Sequence, residues 1–407
     1  MTTVMTSPNQ LLAQRMQRIK ASPSMAAKKK VDTLRAAGKQ IVDFTIGEPD
    51  LATPEHIATA AVQAIRHGAT KYTASAGVPE LLQAVAQKFE RENGLHYATD
   101  QLIVGTGAKQ LIYTALAATL NDGDEVIIPT PFWVSYPDMV TLNGGTPVML
   151  ASTAESGFKI SAAELERAIT DKTKWLLLNS PNNPSGSMYT AAQFREIAAV
   201  LERHPQVYLM IDEIYEHFSY DDVYVSLATY SETLRARTLV VNGVSKAYAM
   251  TGWRIGYAAG PAVLIKAMTT LISQTTSCAS EPSQRAAVAA LTQDQSCVRE
   301  ASRIFRERRD VIVPLLNAIE GITCAVPQGA FYVFPSVKGL LGKRMPDGKI
   351  LATDLDVVLY LLDHAGVAVL DGTAYGTPGF IRISFATDLD IIRKGCEKIA
   401  SACRQLV

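Results

Sequence analysis

Lys246 follows the apolar run TLVVNG (238–243) and enters a stretch of small and aromatic residues, SKAYAMTGWRIGY (245–257). A lysine placed there is less solvated than a surface lysine. Desolvation and nearby cations disfavour its charged form, and a neutral ε-amine condenses with an aldehyde to an imine. Arg254, a little further on, offers a planar fork that suits a phosphate. A second arginine, Arg382, stands inside the apolar run FIRISFA (380–386). An unpaired guanidinium there is strongly unfavourable, so Arg382 faces either a protein carboxylate or the carboxylate of a ligand.

Other candidates follow other apolar runs. After VYLMI come Asp212 and Tyr215, a carboxylate and a phenol; Asp212 is either a buried acid in search of a cation or a helix cap. After KWLLLN comes SPNNPSG (180–186), in which Asn183 either points its amide into a site or simply forms a turn. After QLIV comes GTGAKQ (105–110), where Gly107 and Ala108 let backbone N–H groups and the positive end of a helix approach an anion. That string lacks the third glycine of the dinucleotide fingerprint and the GK[ST] ending of a nucleotide-binding loop. Taken together, an anion cradle (Gly107, Ala108, Ser245, Arg254), an acid for a ring nitrogen (Asp212), hydrogen bonds for a ring hydroxyl (Asn183, Tyr215) and an imine lysine are what pyridoxal phosphate (PLP) requires. Arg382 would then grip the carboxylate of an amino acid.

The elements that must position these groups are legible in outline. QLIV (101–104), DEVIIP (124–129), KWLLLN (174–179), VYLMID (207–212), TLVVNG (238–243) and RIGYAAG (254–260) are short apolar runs, alternating with helical patterns. Continuous apolar strands are buried on both faces, which predicts an α/β unit with a mostly parallel central sheet covered by helices. Ligands collect beyond the carboxyl ends of such strands, where the candidates stand. Beyond about residue 295 comes a long charged helical pattern (298–316), then AFYVFP (330–335), VAVL (367–370), FIRISFA (380–386) and a last helix, which predicts a smaller α+β unit. The expected division is 1–50 as an N-terminal arm and part of the small domain, 51–295 as the large ligand-binding domain and 296–407 as the small domain.

Composition narrows the function. The 407 residues are 48% hydrophobic and 19% charged, with 39 basic and 39 acidic residues, so no bulk field attracts nucleic acid or an anionic membrane. The ligand is expected to be small. Five widely spaced cysteines, without a C-x-x-C pair or neighbouring histidines, read as core thiols in a reducing cytoplasm rather than as a disulfide framework or metal ligands. No apolar stretch is long enough to span a membrane. Arg15, Arg18, Lys20 and Lys28 to Lys30, with no acid among the first thirty-one residues, read as a basic arm on a folded domain rather than a transit peptide.

The strings TIGEPD (45–50), KYTASAG (71–77), GAKQ (107–110), PTPFWVSYPDM (129–139), NSPNNPSG (179–186), DEIYEH (212–217), SKAYAMTGWRIGY (245–257), GAFYVFP (329–335) and FIRISFA (380–386) run through most of the chain. In these the sequence resembles class I PLP-dependent aminotransferases of fold type I, and within them the bacterial-type aspartate aminotransferases. The resemblance implies that Lys246 is the imine lysine and proton shuttle, that Asp212 keeps the pyridine nitrogen protonated, and that Asn183 and Tyr215 bind the ring hydroxyl. It implies that Trp133 stacks on the ring, that Gly107, Ala108, Ser245 and Arg254 hold the phosphate, and that Tyr72 reaches it from the partner in a homodimer. Arg382, Asn183, Trp133 and the backbone of Gly47 would bind the substrate α-carboxylate. Lys109, which also belongs to the phosphate end, would meet the side-chain carboxylate of aspartate or glutamate with help from Ser24; otherwise Lys109 is a first-turn lysine facing solvent.

Two departures stand out. Gly243 occupies a position where many such enzymes have serine, and the second arginine of the animal-type aspartate enzymes has no counterpart near 273–280. The implied activity is ping-pong amino transfer between an L-amino acid, foremost aspartate, and 2-oxoglutarate. An aromatic, prephenate or broad-specificity aminotransferase and a PLP-dependent lyase use the same machinery. A PLP-binding gene regulator would need a DNA-binding module, for which the sequence has neither a basic patch nor spare length.

Overall fold

The computed structural model describes residues 11–19 and 23–407, the side chains of 23–26 and 28 excepted. The first strand, β1 (Val42–Asp43), is followed by the seven strands of one sheet: β2 (Leu102–Gly105), β3 (Glu125–Pro129), β4 (Thr146–Leu150), β5 (Thr173–Asn179), β6 (Tyr208–Asp212), β7 (Thr238–Gly243) and β8 (Gly256–Ala259). Their order is β2-β8-β7-β6-β5-β3-β4. Only β8 runs against its neighbours, so the sheet is mostly parallel, as expected.

Successive residues of the central strands feed two different cores. Leu176, Leu178, Leu209, Ile211 and Val240 pack on one face. Trp175, Leu177, Met210, Leu239 and Val241 pack on the other. This is why these strands read as unbroken apolar runs. The edge strand β4 escaped the sequence reading because Thr146 and Met149 are exposed and Pro147 interrupts it, so its pattern is that of a half-covered edge.

The C-terminal part holds β9 (Tyr332–Val333), β10 (Val367–Ala368), β11 (Leu370–Asp371) and β12 (Ile381–Ser384). Strands β11, β12 and β9 form an antiparallel sheet, while β1 pairs with β10 in parallel. The helices Ser296–Asn317 and Leu389–Cys403 share one core with this layer through Phe305, Ile312, Ile392 and Ile399. Val42 and Phe44 belong to the same core, which fastens the N-terminal segment to the C-terminal part even though two residues of strand give no sequence signal. The five cysteines are free thiols. Among the described residues no helix is long and apolar enough to cross a membrane.

Candidate active site

A cavity of about 730 Å³ opens at the carboxyl ends of β5, β6 and β7, lined from the large sheet by Tyr136 and from the C-terminal part by Tyr332 and Arg382. Of the residues anticipated from sequence, all except Gly107, Tyr72 and Ser24 line it. Gly107 flanks it. Tyr72 is 89% exposed and away from the cavity of its own chain. Ser24 belongs to the helix Pro23–Ala36, but its side chain lies outside the described residues.

One end of the cavity is built for an anion. Gly107, at φ 87°, precedes the helix Ala108–Thr119, and no side chain caps that helix, which leaves its first N–H groups available. The chain approaches closely here: a Cβ on Gly107 would lie 2.4 Å from Arg254 Nη2, and one on Gly256 would lie 2.3 Å from the amide nitrogen of Ala108. Arg254 itself adopts a left-handed conformation, φ 57°, uncommon for a side chain of its size. That turn lets its guanidinium donate to Thr251 O at 3.0 Å and lie beside Gly107. Ser245 is buried next to Lys246.

At the middle stand two groups whose charges are costly. Asp212 is buried, and among the described residues no lysine or arginine makes an ion pair with it. Burial raises its carboxyl to about 6, against the opposing effect of the Tyr136 hydroxyl, which donates to Oδ2 at 2.7 Å, and the Ile214 amide, 3.2 Å from Oδ1. Lys246 donates from Nζ to the carbonyl of Gly47 at 2.6 Å. Burial lowers its ammonium to about 8, with Glu48 and Asp212 pulling upward and Arg382 and Arg254 downward. Roughly a tenth of this amine is therefore neutral at pH 7 and about half at pH 8, against a negligible fraction for an ordinary lysine.

The third part is Arg382, 3% exposed. Nη2 donates to Thr45 O at 2.5 Å and Nη1 to Asn183 Oδ1 at 3.3 Å, while the guanidinium lies over Tyr332 (4.7 Å) and Tyr375 (5.5 Å). Its Nε has no hydrogen-bond partner, and among the described residues no carboxylate pairs with it. Of the two partners open to Arg382 from sequence, a protein carboxylate is thus absent among the described residues. Tyr215 shares a hydrogen bond with Tyr332, 2.9 Å between hydroxyls, and burial pushes its phenol well above the ordinary value. Lys109 lies 4.6 Å over the ring of Trp133, its pKa lowered by burial and by Arg254, and it too lacks a carboxylate partner among the described residues.

A family model described as "Aminotransferase class I and II" matches residues 39–399. The chain belongs to that family. It is an aminotransferase, as the resemblance implied. It is 50% identical over 393 residues to a probable aspartate/prephenate aminotransferase of Rhizobium leguminosarum bv. phaseoli, covering 96% of this chain and 98% of the relative. The solved aspartate aminotransferase of Rhizobium meliloti superposes with a TM-score of 0.95 at 50% identity, over 97% of this chain and 99% of that one. The Thermus thermophilus aspartate aminotransferase with maleate gives 0.90 at 40% identity, over 96% and 99%.

Several residues of this aminotransferase's cavity carried no assigned chemistry in the sequence reading: Tyr136, Tyr332, Thr45, Glu48 and Asn179. Each lies in or beside a string noted for its resemblance, yet each acts by touching another site residue. Tyr136 is the donor to Asp212, Thr45 the acceptor for Arg382, and Asn179 Oδ1 accepts from the amide of Asn183 at 2.8 Å. Such contacts become visible only when the elements are packed.

Proposed function

We propose that this chain is a PLP-dependent transaminase that exchanges the amino group of aspartate with 2-oxoglutarate, working as a homodimer. The observation that carries the reading is Arg382: a buried guanidinium without a carboxylate, in the same cavity as a lysine whose ammonium is lowered to about 8. A charge so placed stays costly until a ligand carboxylate completes it.

The residues present fit the cofactor. A glycine whose Cβ would fill the space beside Arg254, an uncapped helix end and Ser245 offer donors to a phosphate, and Lys109 adds charge at that end. Asp212, buried without a cation, suits a protonated ring nitrogen; Asn183 and Tyr215 would take the ring hydroxyl and Trp133 the ring face. Once bound, the cofactor supplies an aldehyde that captures amines and a ring that accepts the charge left when a Cα proton departs.

The chain's own residues would do the rest. Lys246 Nζ, neutral in part near pH 8, would take the Cα proton and return it, with Gly47 O holding one of its hydrogens. Asp212 is ionised above about pH 6 and would hold positive charge at the ring nitrogen. Arg382, anchored by Thr45 and Asn183, would align the α-carboxylate and hence the Cα–H bond. Lys109, with no protein carboxylate of its own, would meet the distal carboxylate of aspartate or glutamate, with Ser24 assisting. Tyr72, 89% exposed, would reach the phosphate of the partner's site. We assign 1–50 to the arm and part of the small domain, 51–295 to the large domain and 296–407 to the small one; the cavity lining draws on a core of the large sheet through Tyr136 and on the core of the C-terminal part through Tyr332, which supports this division.

The test is oxaloacetate formation from aspartate. Production stoichiometric with consumed 2-oxoglutarate supports the reading, while ammonia release without an acceptor marks a lyase. Prephenate belongs in the same substrate panel, since one relative is named for it.

A further inference from the structure

The segment joining β1 to the helix Glu55–Arg66 crosses the mouth of the cavity, and its contacts differ from those of the rest of the chain. Phe44 is fixed at one end: its N–H donates to Ala368 O and its carbonyl accepts from Ser384 N, both at 2.9 Å. At the other end Thr53 donates to Ala249 O at 2.8 Å and accepts from Trp253 Nε1 at 3.0 Å. Between them, residues 45–53 make no backbone–backbone hydrogen bond with the described residues. Yet this stretch presents the two carbonyls on which the working cations rest, Thr45 O for Arg382 and Gly47 O for Lys246.

Side chains hold the middle of the strap: Thr251 Oγ1 donates to Glu48 Oε2 at 2.6 Å, and Asp50 is held by a two-pronged pair. Arg308, on the helix Ser296–Asn317, donates from Nη1 to Asp50 Oδ1 at 2.6 Å and from Nη2 to Asp50 Oδ2 at 2.8 Å. The Arg308 side chain is 9% exposed and that of Asp50 31%, so the guanidinium is buried while the carboxylate keeps partial contact with water. A bidentate guanidinium–carboxylate pair fixes orientation as well as distance, which a single hydrogen bond does not.

We propose that Arg308 is a positioning residue of this aminotransferase, its bidentate pair with Asp50 holding the strap so that the carbonyls of Thr45 and Gly47 keep Arg382 and Lys246 in register. Arg308 does not line the cavity and touches no reacting atom. Its effect passes through the strap. A small misplacement of a group that orients a substrate is costly, so loss of the fork should weaken the grip on the substrate carboxylate and appear in KM.

The inference rests on the aminotransferase reading for its kinetic part only. Holoenzyme carrying Arg308→Met, Asp50→Asn or both is compared with wild type by limited proteolysis with thermolysin, which cuts before apolar residues such as Ile46 and Leu51, by steady-state kinetics with aspartate, and by inhibition with succinate, an unreactive dicarboxylate. Expected are faster cleavage within 45–53 with unchanged cleavage elsewhere, a roughly 10-fold rise in KM and in the succinate inhibition constant, and kcat within about threefold. The double variant should be no worse than either single one, and Arg308→Lys should recover part of the loss. Unchanged cleavage within 45–53 in both single variants overturns the proposal, as does a lowered melting temperature with unaltered KM. Should Arg308→Met fail to fold, Asp50→Asn decides alone. If wild type transfers no amino group, the functional reading fails, while the cleavage measurement still decides the tether.

Discussion

Replacing Asp212 by asparagine should make the cofactor-free protein more stable and the enzyme nearly inert, and the two effects have one cause. Among the described residues Asp212 makes no ion pair, and burial lifts its carboxyl from the ordinary 3.8 to about 6 against the smaller opposing pull of Tyr136, Ile214 and Lys246. Between those values the folded protein holds a proton that the unfolded chain has released, so stability falls as pH rises from 3.8, and the loss is complete above 6. At ~1.4 kcal/mol per pH unit the interval amounts to roughly 3 kcal/mol, about half of it accrued by pH 5. Asparagine keeps the shape and can still accept from Tyr136, but carries no charge. The cofactor-free Asp212→Asn protein should therefore gain little over wild type near pH 4 and about 3 kcal/mol at pH 8, read as a pH-dependent difference in denaturant midpoints. Turnover should fall by several orders of magnitude with little change in substrate affinity, because the charge serves the transition state rather than the ground state. A stability difference independent of pH, or of the opposite sign at pH 8, would refute the reasoning.

Tyr136→Phe removes a donor to the charged form of Asp212, a contact worth roughly 1.5–3 kcal/mol, so the carboxyl should rise by about one to two pH units above its present value. The acid limb of PLP uptake by cofactor-free protein should move up accordingly; an unmoved limb counts against the assignment. Borohydride treatment of the holoenzyme should fix the mass of the cofactor on the peptide containing Lys246, and Lys246→Ala should bind PLP without turnover; a different labelled lysine would remove the central assignment. Arg382→Ala should depress every amino donor, whereas Lys109→Ala should cut aspartate and glutamate by about 10- to 100-fold and spare aromatic donors. Equal losses on aspartate and phenylalanine would instead place Lys109 at the phosphate end.

The sheet was legible because its strands are buried on both faces, which forces unbroken apolar runs such as KWLLLN and VYLMID. The groups at the ends of those runs were legible for a second reason: a lysine, an acid and an arginine placed beside buried strands are costly there unless a ligand or partner compensates them. What stayed hidden depends on contacts between segments far apart in the chain. Strand β1 has two residues and exists because the backbone of Val42 and Asp43 meets that of Val367 and Ala368, which no local pattern encodes. Tyr136, 76 residues before Asp212, looks in sequence like any helical tyrosine, and only the packed structure shows its hydroxyl at the carboxylate.

Arg382 shows where the two kinds of information divide. Sequence placed a guanidinium in an apolar strand and required a partner, but left open whether that partner is protein or ligand. The structure surrounds it with a carbonyl, an amide oxygen and two aromatic faces, all neutral, and with no carboxylate among the described residues. Neutral acceptors orient a guanidinium without cancelling its charge. The unbalanced positive charge in turn lowers the ammonium of Lys246, as the charge of Arg254 does. A substrate carboxylate would balance Arg382 and so ease that depression, letting the amine hold a proton more firmly once the substrate is seated. Binding and proton transfer would thus be coupled through the field between two cations, because among the described residues no acid beside Arg382 cancels its charge.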